Sequence, residues 1–331
     1  MARKKLLKHK DIGGETKLKT LAAPKEGAPP APTISEPTAN DIDLSLYEAV
    51  SRTLYALPSR FQSELAVVGV LATDLHAFNT ALGASIEEQV VASLNALRSN
   101  WDPNGIYPTY SFVRSSQRFP DVRLQNTIPG SDKAVLMGIE LKGWYVLAKE
   151  SEPSGRYKVT PNVCAPQDLL VIVPWALDSV VSGRPKLFAP FIVNARWAAE
   201  QRNYWWTWLR DTGDPSGIKL SSYDQPYPAK ADKISDVPDY DDSGNFGRIA
   251  RTNIMDDYMR SLMQESLVGI PLWAWQAFFV PFKGEADENK IRATLSTLLK
   301  RVEDDLDPAA VNAEEISLRL IPVWRLMGKT S

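Results

Sequence analysis

The sequence predicts an α/β fold, a central mixed β-sheet flanked by helices, and three observations predict it. Residues 41–100 carry apolar side chains at helical spacing. Residues 103–193 change to short apolar runs separated by turn-rich connections, and helical spacing returns from residue 246 onward. With 331 residues, 44% of them hydrophobic and 24% charged, the chain has enough apolar material for such a core.

Residues 1–19 hold seven Lys/Arg and two acids, and residues 24–37 hold five prolines among Ala, Thr, Ser and Gly. That composition predicts a disordered basic arm and Pro-rich linker over residues 1–40, because it offers too little apolar surface to offset the entropy of ordering. The arm reads as a solubilising tail or as a phosphate-touching extension, the tail being the commoner use of a basic terminus. No apolar stretch and cleavage site follow MARKKLLKHK, so a secretory signal is not expected.

Three helices are expected next, over DIDLSLYEAVSRTLYALP, RFQSELAVVGVLATDLHAFNTALG and SIEEQVVASLNALRSN. Gly83 would close the second, and Ser85 with Glu88 would form a capping box for the third. His76 falls among Val, Leu and Phe and reads as a packed core residue. Strands are expected at 120–125, 134–142, 168–175 and 187–193, and further helices at 246–267, 285–305 and 313–327. The segment ARWAAEQRNYWWTWLR concentrates Trp197, Tyr204, Trp205, Trp206 and Trp208. Packing into a core or a dimer interface is the commoner use of so much aromatic area than stacking on bases. In the loop over 212–244, Asp239, Asp241, Asp242 and Gly244 lack the ligand order of a calcium loop. With no internal repeat and no second linker, residues 41–331 read as one domain: a helical region (41–100), an α/β core (101–210), and a loop with helices (211–331).

Composition excludes several kinds of chemistry. Lys plus Arg number 38 against 40 Asp plus Glu, a net charge of −2, so any polyanion must be met by local basic patches. One cysteine, Cys164, rules out an intramolecular disulfide or a cysteine zinc cluster and fits a reducing cytoplasm. Two histidines, His9 and His76, give little support to Ser-His catalysis. The uncharged stretch 266–282 is interrupted by Gly269, Pro271, Gln276 and Pro281 and reads as buried core, so no membrane partner is expected.

The chemistry concentrates in FPDVRLQNTIPGSDKAVLMGIELKGW. Asp121 opens one β-run, a turn follows at Pro129 and Gly130, and Glu140 and Lys142 stand two apart on the next run, hence on one face. A hairpin would set Asp121 beside Glu140. Paired carboxylates in a partly buried site repel and call for a cation, and all-oxygen ligation suits Mg²⁺, or Mn²⁺ in its place. A neighbouring lysine can hold a water and offset the charge of a phosphoryl transition state.

These residues resemble the PD-(D/E)xK nuclease superfamily, with Pro120-Asp121 as the PD element and Glu140-Leu141-Lys142 as ExK. Within it the chain looks most like a type II restriction endonuclease. Other copies of the pattern exist, at Glu15-Thr16-Lys17, Glu288-Asn289-Lys290 and Pro238-Asp239, but none combines the order, the 18-residue spacer and an apolar strand. The resemblance implies a restriction-endonuclease-like core in which Asp121 and Glu140 hold Mg²⁺ and Lys142 positions the attacking water. It also implies double-stranded DNA as substrate, a homodimer, and pairing with a DNA methyltransferase.

On a helical wheel, Glu87 lies about 100° from Ile86, toward the apolar face, and Glu88 about 200°. Glu87 reads either as a third carboxylate of the site or as an edge residue that snorkels or pairs with an arginine. Arg114, Gln117, Arg118 and Arg123 around the PD element, Lys149, Arg156 and Lys158 after ExK, and Arg248 and Arg251 where residues 245–251 would start a helix near phosphate are the candidate DNA contacts. The rival functions are a repair or recombination nuclease with the same core and a DNA-binding protein without activity. A carboxylate-pair glycosidase is more distant, having no use for Lys142.

Overall fold

The structure is a computed structural model. It describes residues 23–34, 37, 43–68, 75–115, 118–132, 134–148, 152–153, 155–210, 217–241, 244–279 and helical positions 289, 293, 296–297 and 300. The expected helix over 313–327 lies outside the described residues, as do residues 1–22 of the arm and the side chain of His76.

Two long helices precede the sheet, α1 (Asp43–Arg60) and α2 (Leu75–Ala96), with the short α3 (Arg98–Trp101) after them. The apolar stripe Leu46, Val50, Leu54 and Leu57 is what α1 buries. Here the expected three-helix division is corrected. Residues 61–68 are not helical; Val67 exchanges two backbone hydrogen bonds with Gly183 (2.8 and 2.9 Å), a tertiary pairing that overrides local helical spacing. Gly83 and Ser85 stand inside α2 rather than between two helices, and Ser85 Oγ accepts from Gln89 Nε2 (3.2 Å) instead of capping.

The strands are β1 (Tyr110–Arg114), β2 (Val122–Asn126), β3 (Val135–Tyr145), β4 (Leu169–Leu177), β5 (Pro185–Leu187) and β6 (Phe191–Asn194). β1, β2 and β3 form an antiparallel meander, and β4 runs parallel to β3, pairing Glu140 with Leu170 and Lys142 with Ile172. The crossover between these parallel strands contains one 3-10 turn (Pro161–Val163) among its described residues. All nine residues of β4 are buried, as a continuous apolar run covered on both faces requires. Its far edge is shared by β6 and β5, both antiparallel, and Pro174 falls where the partner passes from Phe191 to Leu187. A proline has no ladder N–H to give, so it is accommodated where the pairing is already interrupted. The expected strands are thus all present, the last in two pieces. β1, masked in sequence by its mixed burial, is an addition.

α4 (Ala195–Tyr204) follows, capped by Asn194 Oδ1 accepting from Trp197 N (3.0 Å), and continues into a π-type turn (Trp205–Leu209). Tyr204 and Trp206 are buried there, the packing use expected of this segment. Lys25 N–H donates to Trp208 O (3.0 Å) and Trp197 Nε1–H to Pro32 O (3.1 Å), so part of the Pro-rich segment lies bound along α4 where an extended linker was expected. The polar loop is tied down by a fully buried ion pair, Arg202–Asp236 (2.6 Å).

The remaining elements are β7 (Ile218–Lys219), β8 (Val237–Pro238), α5 (Asp256–Leu262), β9 (Ser266–Leu267), β10 (Ile270–Pro271) and α6 (Leu272–Phe279). The single helix expected over 246–267 is corrected to a 3-10 turn (Ile249–Arg251), then α5 and β9; Asn253 adopts a left-handed backbone conformation that separates the turn from α5. Leu267, Ile270, Leu272, Trp275 and Phe278 are buried, so the uncharged stretch is core over its described part, 266–279. Among the described residues no helix is long and apolar enough to cross a membrane.

Candidate active site

Antiparallel pairing of Val122 with Ile139 brings the preceding residue, Asp121, opposite Glu140. Asp121 N–H donates to Glu140 Oε2 (3.3 Å). Lys142, two residues on and on the same face, places Nζ 2.9 Å from Asp121 Oδ2 and 2.8 Å from Glu140 Oε1. The hairpin expected from sequence therefore assembles both carboxylates around one ammonium.

The environment separates the three groups. Glu140 is 7% exposed, and burial pushes its carboxyl up to about 7, with Asp121's charge adding and Lys142's opposing. For Lys142, burial disfavours the cation, but the carboxylates of Glu140 and Asp121 outweigh it and hold the ammonium above the usual lysine range. Lys142 is accordingly a fixed cation at neutral pH.

Glu87 reaches the site from α2 by a close approach of helix to strand. A Cβ placed on Gly143 would meet Gly83 Cα at 3.6 Å, and one helical turn after Gly83 the Glu87 carboxylate accepts from Gly143 N–H (3.2 Å). Its other oxygen lies 3.4 Å from Arg114. Burial raises its pKa, the Gly143 N–H opposes this, and the charges of Asp121 and Lys142 both act on it. Of its two sequence readings, the arginine pairing is present, within electrostatic reach of the site.

Two residues that sequence reasoning missed hold this geometry. A Cβ on Gly138 would fall 2.3 Å from Pro120 Cγ and 2.9 Å from Asp168 Oδ1, so the PD proline seats on a bare strand position. Fully buried Asp168 accepts from Gly138 N (2.7 Å), Ala165 N (2.8 Å) and Tyr227 OH (3.1 Å), and burial pushes its carboxyl up to about 6. A glycine inside an apolar strand was the available signal for close approach. Cys164 is buried beside Tyr157 OH (3.2 Å), and burial raises its thiol pKa, which disfavours the thiolate.

The candidate DNA contacts divide. Arg114, Arg118 and Arg123 line one cavity. Arg156 is exposed and Lys158 Nζ lies 6.0 Å from the Phe246 ring centre. Arg251 donates to Glu152 (2.6 Å) and to Asn245. The helix expected to start near Asn245 is instead a bridge from Arg248 to Arg156 followed by the 3-10 turn. Gln117 and Lys149 lie outside the described residues.

Among the described residues no three His, Cys, Asp or Glu side chains cluster as a metal-ligand set. Asp121 and Glu140 do converge on a single cation, Lys142, and as hard oxygen donors they fit Mg²⁺ or Mn²⁺. No protein-family model, curated protein or solved structure matches this chain. The class defined here is an α/β protein with a carboxylate–carboxylate–lysine cluster on a mixed sheet.

Proposed function

We propose that the chain is a Mg²⁺-dependent endodeoxyribonuclease of the restriction type, hydrolysing phosphodiester bonds in double-stranded DNA. The observation that carries this reading is the convergence of Asp121 and Glu140 on Lys142 across the β2–β3 pair. Asp121 and Glu140 would hold the metal, which when bound supplies Lewis-acid polarisation of the phosphoryl oxygen. Lys142, kept cationic by its carboxylate neighbours, orients the attacking water and offsets charge developing on phosphorus. Glu87 holds the Gly143 backbone and so the end of β3 next to Lys142. The restriction type rests on the sequence resemblance.

The test is digestion of unmethylated phage DNA with Mg²⁺ and with EDTA, beside Lys142→Ala. Discrete, metal-dependent bands lost in Lys142→Ala support the proposal. A smear, or cutting confined to branched or damaged DNA, would favour a repair nuclease. Cleavage unaffected by Lys142→Ala would remove this cluster from the mechanism.

A further inference from the structure

A cavity of about 420 Å³ opens beside the cluster, lined by Arg114, Ser115, Arg118, Arg123 and Gln125 among others. Side chains alternate along β2, so Asp121, Arg123 and Gln125 share a face, and Arg123 pairs with Gly138 two residues before Glu140. The cavity therefore continues the site's face of the sheet, with Arg123 about 7 Å along the strand from Asp121.

Arg123 is only 8% exposed. One terminal nitrogen donates to the carbonyls of Phe119 (2.5 Å) and Pro228 (3.1 Å), while its buried Nε has no hydrogen-bond partner among the described residues. Among those residues no carboxylate lies within 4.0 Å of Arg118 or Arg123; Arg114 alone has one, Glu87. Burial and the neighbouring Arg118 both lower the pKa of Arg123, and the charges of Tyr227 and Asp168 oppose this only in part. A buried guanidinium with no carboxylate in direct contact is stabilised by an anion seated in the cavity it lines. A tetrahedral oxyanion matches the planar fork of donors.

We propose that this cavity binds a backbone phosphate of the nucleic acid next to the scissile one, with Arg123 as buried anchor and Arg118 at the rim. Gln125, on the same face, faces the adjoining sugar or base edge. This rests on the nuclease reading above, and sets the register in which a strand crosses Asp121 and Glu140.

The test is fluorescence anisotropy of a labelled duplex with the full-length chain in EDTA, where nothing is cut, across a salt series. Exposed Arg118 is the variant of choice, since replacing buried Arg123 threatens the fold. Arg118→Ala is expected to weaken binding about tenfold and to make the salt dependence shallower by about one unit of slope. Arg118→Glu should weaken it further, and Arg52→Ala, on distant α1, should change nothing. Equal binding by wild type and Arg118→Glu, or no duplex binding by wild type, overturns the proposal. Calorimetry with inorganic phosphate separates the sources: Arg118-dependent phosphate binding without duplex binding would make this a free-anion site and also overturn it. Metal-dependent cleavage is scored separately. Cleavage with Arg118-independent binding sinks the cavity alone, and Arg118-dependent binding without cleavage sinks the nuclease reading alone.

Discussion

Replacing Gly138 by alanine puts one methyl group where the PD segment rests on the ExK strand. The new Cβ would lie 2.3 Å from Pro120 Cγ and 2.9 Å from Asp168 Oδ1. Neither neighbour is a flexible tip: Pro120 is a buried ring and Asp168 is fully buried with three hydrogen-bond donors on its carboxylate. Overpacking of this kind costs about 1–3 kcal/mol, and weakening one bond to a buried carboxylate adds about 1.5–3 kcal/mol. Partial relaxation makes the two non-additive, so the expected loss is about 2–4 kcal/mol. Urea unfolding followed by the fluorescence of the ten tryptophans measures it, with an unchanged m-value showing that the folded state is otherwise the same. Gly155→Ala is the matched control, since its Cβ would meet the Lys142 stem at ordinary contact distances of 3.4–3.5 Å. A Gly138→Ala loss below about 0.5 kcal/mol, no larger than the control's, would mean that Pro120 does not seat on β3, and the register that sets Asp121 beside Glu140 would fall with it.

Gly83→Ala, with open space around its Cβ inside α2, should stabilise the protein by about 0.5–1 kcal/mol in urea unfolding; destabilisation would restore the two-helix reading. Glu140, raised from 4.5 to about 7, contributes stability that is complete below pH 4.5 and is lost as pH rises through about 7. Glu140→Gln should abolish that slope between pH 5 and 8, and a parallel pH–stability curve would contradict the buried carboxyl. Because Lys142 holds that carboxyl down, Lys142→Met should move its ¹³C NMR titration above 7; a downward move would break the assigned coupling. Arg202→Met strands Asp236 in the core and should cost about 3–5 kcal/mol in the same urea assay, more than Arg202→Met/Asp236→Leu.

Much of the fold was legible because its signals are local. The run VLMGIELKGW and the wholly apolar LLVIVPWAL could scarcely be other than strands, and the stripe Leu46, Val50, Leu54, Leu57 marks α1. Period-two alternation put Glu140 and Lys142 on one face before any pairing was known. β1 was not legible, since its burial is half and half. The continuity of α2 through Gly83 was not legible because glycine commonly closes a helix, and nothing local marks that this one does not.

Sequence alone determined β2, β3 and β4, their faces and the acid–acid–lysine set, since each follows from side-chain type and spacing along the chain. Only tertiary structure decided what those groups are. Burial of Glu140 raises its carboxyl, two carboxylates lock Lys142 as a cation, and the Gly83–Gly143 approach delivers Glu87 to the end of β3. Arg123 reads in sequence as one of several arginines around the PD element, and becomes a buried cation with no carboxylate in direct contact only once β2 is covered by the loop that carries Pro228. The physical reason is that dielectric environment and close packing belong to residues far apart in the chain, which spacing does not record.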